Sequence, residues 1–244
     1  MIYQETLRIL RHLSLPEIAE MDVLQALKAA QCASPLDTAY WATQEAGLSR
    51  QESIYRAAAV FLNFATANLA DDLSDGDCSY LSQAKIPGVQ FILQNLVFHC
   101  LMRSSIEHET LRMITEDLLA MGAGQQIEVS TEQWTLQRAC EVGEAISGRQ
   151  YAAYFQILWG DTALGAHARD WGQRFGNASH ISIDLQTNDE RLHSLPNEDI
   201  RKLLNWALAG IEEFKTSEIE LLKVLWNNIS APMIEWLEKS EAEA

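Results

Sequence analysis

Residues 57–75 read AAAVFLNFATANLADDLSD, an apolar run that ends in three aspartates. The run lacks the alternation of a half-buried strand, and its alanines and leucines favour a long helix. Such a helix has few polar faces, so we expect other helices to surround it. In helical geometry Asp71 and Asp75 lie one turn apart on one face, with Asp72 beside them. The sequence therefore predicts a carboxylate cluster, here named the first acidic segment (residues 71–75), at the end of a central helix.

The first acidic segment favours a hard divalent cation with oxygen ligands. Mg²⁺ relieves the repulsion between carboxylates and keeps positions open for a substrate phosphate. An EF-hand loop is one alternative, but Leu73 and Ser82 stand at its third and twelfth positions, where oxygen ligands are required. A solvated acidic helix end is the other alternative. A metal at the mouth of an apolar cavity suits a substrate with a diphosphate head and a hydrocarbon tail.

Composition and charge narrow the functional classes. The 244 residues contain 48% hydrophobic residues, only 12 Gly and 5 Pro, and no linker-like stretch, so we expect one domain over residues 1–244. The formal charge of −16 argues against nucleic-acid partners and anionic membrane surfaces. No apolar run is long enough to insert stably in a membrane, and the charged first residues do not suggest a signal peptide. A cytoplasmic location is the expectation.

The cysteines do not predict a metal site or a disulfide framework. They are scattered without CxxC spacing, so we interpret them as reduced packing residues: Cys32, Cys78, Cys100 and Cys140.

Helical periodicity continues along the whole chain. Serine caps predict helix starts at Ser14, Ser34 and Ser49, the first and last with glutamate three residues later. The predicted helices lie near residues 2–13, 16–31, 35–46, 50–74, 88–104, 106–124, 132–159, 162–190 and 198–238, the last with a break near Lys215.

Three further stretches carry polar residues on otherwise apolar helices. Gly124-Gln125 is the first, and Ser147-Gly148-Arg149 is the second. Each alone is more consistent with a close helix crossing that carries incidental polar groups, and their order along the chain is what gives them weight. The third is an i, i+4, i+8 stripe of His180, Asp184 and Asn188, with Asp189 adjacent, which presents a second set of oxygen ligands. We interpret His180 as a packing or hydrogen-bonding residue.

These motifs, in this order, resemble the trans-prenyl diphosphate synthase family of class I isoprenoid synthases. The first acidic segment matches the family's DDxxD motif, Gly124-Gln125 its GQ motif, Ser147-Gly148 its Thr-Gly pair, and residues 176–188 its second aspartate-rich segment. The resemblance covers about residues 29–196. It implies a single-domain, all-α, isoprenoid-synthase-type helical bundle around a central apolar cavity, and a homodimer.

The resemblance also implies roles for individual residues. It predicts Mg²⁺ as the cofactor, three ions with diphosphate bound, held by Asp71, Asp72, Asp75, Asp184, Asn188 and Asp189. The residues it implies in catalysis are the aspartates Asp71, Asp72, Asp75 and Asp184. Those it implies in binding substrate are Asn63, Thr66, Ala67, Gln125, Ser147 and Arg149.

The departures from the family concern its basic residues. Where the family has G-G-K-R-x-R-P, residues 29–35 of this chain retain only the proline. The family also carries a pair of arginines, whose positions correspond to the stretch near Tyr80-Leu81, and this chain has no arginine there. Those basic residues bind isopentenyl diphosphate in the family, so this chain has lost that acceptor site. The second aspartate motif is reduced, with Ile183 and Thr187 at aspartate positions, and Ile146 stands at the family's lysine.

What remains is the half of the site that ionises an allylic prenyl diphosphate. We therefore expect an Mg²⁺-dependent prenyltransferase that takes a farnesyl or longer donor and an acceptor other than isopentenyl diphosphate. A small aromatic molecule or a peptide is such an acceptor, as in the peptide-tryptophan and indole prenyltransferases of this superfamily. The alternatives are a terpene cyclase, an ordinary short-chain prenyl diphosphate synthase, and a non-catalytic partner subunit. Against a cyclase, Leu192 and Pro196 stand where its N-D-x-x-S-x-x-x-E motif has Ser and Glu.

Overall fold

The structure, a computed structural model, describes residues 1–31, 36–76 and 78–242, without the side chains of Leu36 and Asp75. It is 83% helical, and no strand occurs in those residues, which confirms the all-α prediction. A π turn (Glu144–Gly148) and a 3₁₀ turn (Glu212–Thr216) interrupt the α-helices. These helices are α1 (Ile2–His12), α2 (Glu17–Gln31), α3 (Leu36–Glu45), α4 (Arg50–Asp75), α5 (Ile86–Arg103), α6 (His108–Val129), α7 (Leu136–Gly143), α8 (Arg149–Trp159), α9 (Gly165–Thr187), α10 (Glu190–His193), α11 (Asn197–Ile211) and α12 (Glu220–Ala242).

The chain divides into two compact units. Unit 1 consists of Met1–Leu111 and Ile157–Ala163, and unit 2 consists of Arg112–Gln156 and Leu164–Ala244. The single domain over residues 1–244 stays a prediction. No described helix is long and apolar enough to cross a membrane.

Helix α4 is the centre of unit 1. It packs against α1, α2, α3 and α5, and residues 57–62 are fully buried along it. The Ser49 hydroxyl accepts a hydrogen bond from the Glu52 N–H at its start, as the capping box predicts. Its C-cap is Gly76 at φ 77°, a left-handed conformation that glycine adopts without steric cost. The prediction of a surrounded apolar helix is confirmed within this unit.

A distant part of the chain completes unit 1. Residues 157–163 bring Asp161, whose carboxylate accepts a 3.0 Å hydrogen bond from the Arg56 guanidinium. Arg56 is only 1% exposed, and its second nitrogen donates to the Ile157 carbonyl. Trp159 is fully buried and donates from its indole nitrogen to the carbonyl of Ala42. A buried guanidinium requires such partners, because without them its charge would lose hydration and gain nothing.

Helix α9 is the centre of unit 2. It packs against α7, the π turn, α11 and α12. Gly172 permits a close approach to α8, and Gly176 permits one to the π turn, since a Cβ would overlap the carbonyl oxygen of Tyr151 or of Ser147 respectively. The helix ends at Thr187, and Asn188 caps it in the left-handed region at φ 54°.

The structure corrects some predicted boundaries. Helix α2 begins at Glu17, and Ser14 lies before it with φ 50°, so Ser14 is not the predicted cap. The helix predicted over 132–159 is interrupted by the π turn, and the break near Lys215 is confirmed as the 3₁₀ turn. The predicted cap Ser34-Pro35 lies outside the described residues.

Candidate functional site

The first acidic segment is the last turn of α4. Asp71 is exposed and Asp72 is half-buried, whereas the side chain of Asp75 lies outside the description. One Asp72 carboxylate oxygen accepts hydrogen bonds from Asn68 Nδ2 at 2.9 Å and from the Tyr80 hydroxyl at 2.5 Å. Burial and this hydrogen bond raise the pKa of Tyr80 well above its usual value, so the phenol stays a donor. Asn68 and Tyr80 thus fix the orientation of the Asp72 carboxylate.

Asn68 and Tyr80 were not among the predicted site residues. The spacing of Asn68, one turn before Asp72, is a signal that the sequence contains, because i and i+4 side chains meet on a helix. Tyr80 gave no such signal, since it approaches Asp72 only after the chain turns at Gly76.

The predicted tail-binding residues lie on the same helix. Asn63 is buried, and its side-chain oxygen has no hydrogen-bond partner within the described structure. Thr66 is half-buried, and its hydroxyl donates to the Leu62 carbonyl at 2.8 Å. Ala67 is half-buried.

The predicted Ser147-Gly148 pair lies in the π turn. The Ser147 hydroxyl is 3.0 Å from His180 Nδ1, which confirms the interpretation of His180 as a hydrogen-bonding residue. A Cβ at Gly148 would overlap the side-chain oxygen of Asn177. π turns interrupt α-helices at functional sites more often than chance, and sequence periodicity gives no sign of this one.

Arg149 and Gln125 are the other predicted substrate contacts. Arg149 donates to Asp117 at 2.9 Å, and Arg169 holds the same carboxylate with two further hydrogen bonds. Asp117 is fully buried, so the two half-exposed guanidiniums are fixed by one carboxylate. Gln125 is half-buried, next to Gly124, where a Cβ would come within 2.8 Å of Ala145. Asp117 and Arg169 were not predicted.

The second acidic segment, residues 184–189, is divided by the end of α9. Asp184 Oδ2 lies 3.6 Å from His180 Nε2, and burial raises the pKa of Asp184 above its usual range. Asn188 is the exposed C-cap of α9, so it leaves the helical face that the stripe assigned to it. Asp189 is the N-cap of α10, and hydrogen bonds from Arg191 lower its pKa.

The two acidic segments differ in how well they fit a metal ion. Within residues 1–31, 36–76 and 78–242, no group of three or more His, Cys, Asp or Glu is arranged to hold one. Asp71 and Asp72 nevertheless present partly exposed carboxylates on adjacent positions of one helix turn, which is compatible with Mg²⁺. Asp189 and Asn188 are already committed to helix caps and an arginine, and they fit the ion poorly.

Comparison with solved structures identifies the architecture. The chain is similar to the crystal structure of a geranyltransferase from Legionella pneumophila, with a TM-score of 0.65 and 19% identity. The similarity covers 92% of this chain and 94% of that one. The chain has the all-α isoprenoid synthase fold. At this level of identity the likeness concerns the fold alone. No protein-family profile matches the sequence, and no curated protein does.

The fold gives the first acidic segment a structural context. The predicted isoprenoid-synthase-type fold class is confirmed, and the aspartates stand at the C-terminal end of the central apolar helix of unit 1. A carboxylate cluster at such a position can hold a cation against a substrate phosphate.

Proposed function

We propose that this protein is an Mg²⁺-dependent prenyltransferase that ionises an allylic prenyl diphosphate. The observation that carries the proposal is the oriented carboxylate of Asp72, held by Asn68 and Tyr80 at the end of the apolar helix α4. The isoprenoid synthase fold supports the same conclusion. Asp71, Asp72 and Asp75 are the proposed ligands of Mg²⁺.

The chain's own residues would protect and orient the substrate. When bound, Mg²⁺ neutralises the diphosphate that leaves the allylic carbon. The apolar side chains of α4 keep water away from the reactive hydrocarbon, and the fixed Asp72 carboxylate needs no reorientation when the ion binds.

The loss of basic residues supports an acceptor other than isopentenyl diphosphate. Tyr80 stands near the positions of the family's arginines, and a phenol carries no positive charge to bind a second diphosphate. Its hydroxyl donates to Asp72 instead. A diphosphate that leaves water needs charge-assisted donors. A small aromatic molecule or a peptide is the proposed acceptor class, and a homodimer is the proposed assembly.

The central test is diphosphate release. We expect purified protein with Mg²⁺ and farnesyl diphosphate to release diphosphate, and Asp71→Asn to abolish the release because the ion loses a ligand. Glu218→Gln is the matched control, because Glu218 is an exposed carboxylate outside the site.

Three results would contradict the proposal. Equal release by the Asp71→Asn variant would remove the metal-site assignment. No release with geranyl, farnesyl or geranylgeranyl diphosphate would instead favour a non-catalytic partner subunit. Efficient elongation with isopentenyl diphosphate would indicate an ordinary synthase.

The proposed donor pocket is tested by substitution at Ala67. We expect Ala67→Phe to shift preference toward geranyl or dimethylallyl diphosphate, because a packed bundle cannot absorb an added ring without strain. The measurement is kcat/KM across donors of increasing length, with Ala46→Phe as a control on a half-buried alanine in the turn just after α3. An unchanged donor profile would mean that Ala67 does not face the tail.

A further inference from the structure

The side chain of Arg191 contacts two carboxylates and an aromatic ring from three parts of unit 2. Its Nε and Nη2 atoms bind the Asp189 carboxylate at 2.7–3.1 Å, and Nη1 donates to Glu128 on α6. The guanidinium also lies over the Trp134 ring, 5.7 Å from its centroid. We name Glu128, Trp134, Asp189 and Arg191 the Arg191 cluster.

The carboxylates of the Arg191 cluster are mostly buried. The Glu128 and Asp189 side chains are 10% and 18% exposed. Paired carboxylates this far from water need a cation to compensate for lost hydration, and the guanidinium supplies that charge together with directed hydrogen bonds. Arginine suits this position because its planar fork binds a carboxylate through two nitrogens and stacks on an aromatic ring.

A small cavity adjoins the cluster. It is lined by Arg191 itself, by Glu128 and Trp134, and by His180 and Asp184 of α9. The centre of a water molecule can occupy only about 10 Å³ of this cavity, so the cavity has room for about one water. The guanidinium therefore fills the space between the acidic side chains of α6, α9 and the α9–α10 connection.

We propose that Arg191 is the resident cation of the second acidic segment and takes the place of the divalent ions expected there. Mg²⁺ could bind Asp189 only if that carboxylate gave up its bonds to Arg191, which would leave the half-buried guanidinium over Trp134 without the partner of its Nε and Nη2 atoms. This chain would then bind divalent metal through the first acidic segment only. The inference refines the metal content of the proposed function, but its contacts stand independently of any turnover.

Removal of the guanidinium should uncover a cation site. Truncation of Arg191 would leave Glu128, Asp184 and Asp189 with an imidazole, His180, around an enlarged cavity. Carboxylate oxygens are the ligands that hard cations such as Mn²⁺ and the lanthanides prefer. The variant should therefore gain a metal affinity that the native chain lacks.

Terbium luminescence provides a direct readout, because Trp134 can transfer excitation to an ion bound beside it. The measurements use the Asp71→Asn background, which weakens binding at the first acidic segment. We expect Arg191→Ala in that background to raise tryptophan-sensitised Tb³⁺ emission several-fold. Adding Trp134→Phe should remove the gain. Arg138→Ala is the matched control, because it deletes the same charge from an exposed ion pair with Glu141.

The outcomes separate this inference from the proposed function. Emission that depends on Trp134 already with Arg191 intact, or no gain in a folded Arg191→Ala variant, would overturn it. If Arg191→Ala fails to fold without metal, Arg191→Gln keeps hydrogen-bonding groups without the charge and should show the same gain. Failure of diphosphate release leaves every one of these results unaffected.

Discussion

The hydroxyl of Tyr80 has one identifiable task at the residue scale, which is to hold Asp72. We expect Tyr80→Phe to weaken Mg²⁺ binding about tenfold, because partners that orient a metal ligand commonly affect affinity by that amount or more. Loss of a hydrogen bond to a charged group should also lower the free energy of unfolding by about 1–2 kcal/mol. Calorimetric Mg²⁺ titration and denaturant unfolding measure the two effects.

Tyr55→Phe is the control for that substitution. Tyr55 is a half-buried residue of the same helix α4, and its hydroxyl makes no hydrogen bond within the described structure. Both variants remove one phenolic oxygen, so a difference in Mg²⁺ affinity between them isolates the contact with Asp72. Equal affinities would show that Asp72 does not need Tyr80 to bind the ion.

Individual site residues were predictable from sequence only where local geometry defines them. The clustering of Asp71 and Asp72 follows from helical spacing, and the structure places both at the end of α4. Arg149 begins α8, within the predicted helix, but its partner Asp117 is 32 residues away, and no local pattern links them. Arg191 was overlooked because its contacts combine α6 with the cap of α10.

At the scale of elements, the crossing of α9 over the π turn depends on a glycine, which has no side chain to separate the two backbones. We expect Gly176→Ala to destabilise the protein by about 3 kcal/mol, because a Cβ would overlap the Ser147 carbonyl oxygen and packed interiors absorb little overpacking. Gly122→Ala is the control, since open space surrounds that helical position. It should be neutral or slightly stabilising, by up to about 1 kcal/mol. Chemical unfolding of both variants tests the difference, and equal effects would contradict the close crossing.

Elements with strong apolar periodicity were predictable, and their interruptions were not. Helix α4 lies close to its expected range because a long apolar run defines it. The π turn inserts an extra residue without changing composition, so the sequence alone gives one continuous helix over that region. The early end of α9 depends on the left-handed conformation of Asn188, which a helical stripe does not reveal.

At the scale of the whole molecule, the formal charge of −16 should make the thermal stability depend on salt concentration. We expect the Tm to rise with KCl concentration, because screening reduces the repulsion between acidic groups in the folded state. MgCl₂ at equal ionic strength should raise it further if the first acidic segment binds the ion. The Asp71→Asn variant should lose that additional increase and keep the KCl effect. Identical curves for the two salts would contradict metal binding.

The ion pair between Arg56 and Asp161 has a consequence for the order of synthesis. The two residues are 105 positions apart, so the ribosome makes the guanidinium about 5–20 s before its carboxylate at ordinary elongation rates. During that interval a nascent chain that ends near residue 111 lacks the acid and the Trp159 side chain that complete unit 1. Such a chain should remain open to proteases, whereas a ribosome-bound chain that has exposed residue 163 should become protected. The amino-terminal half is made first, but unit 1 can complete its fold only after seven residues from much later in the chain have been made.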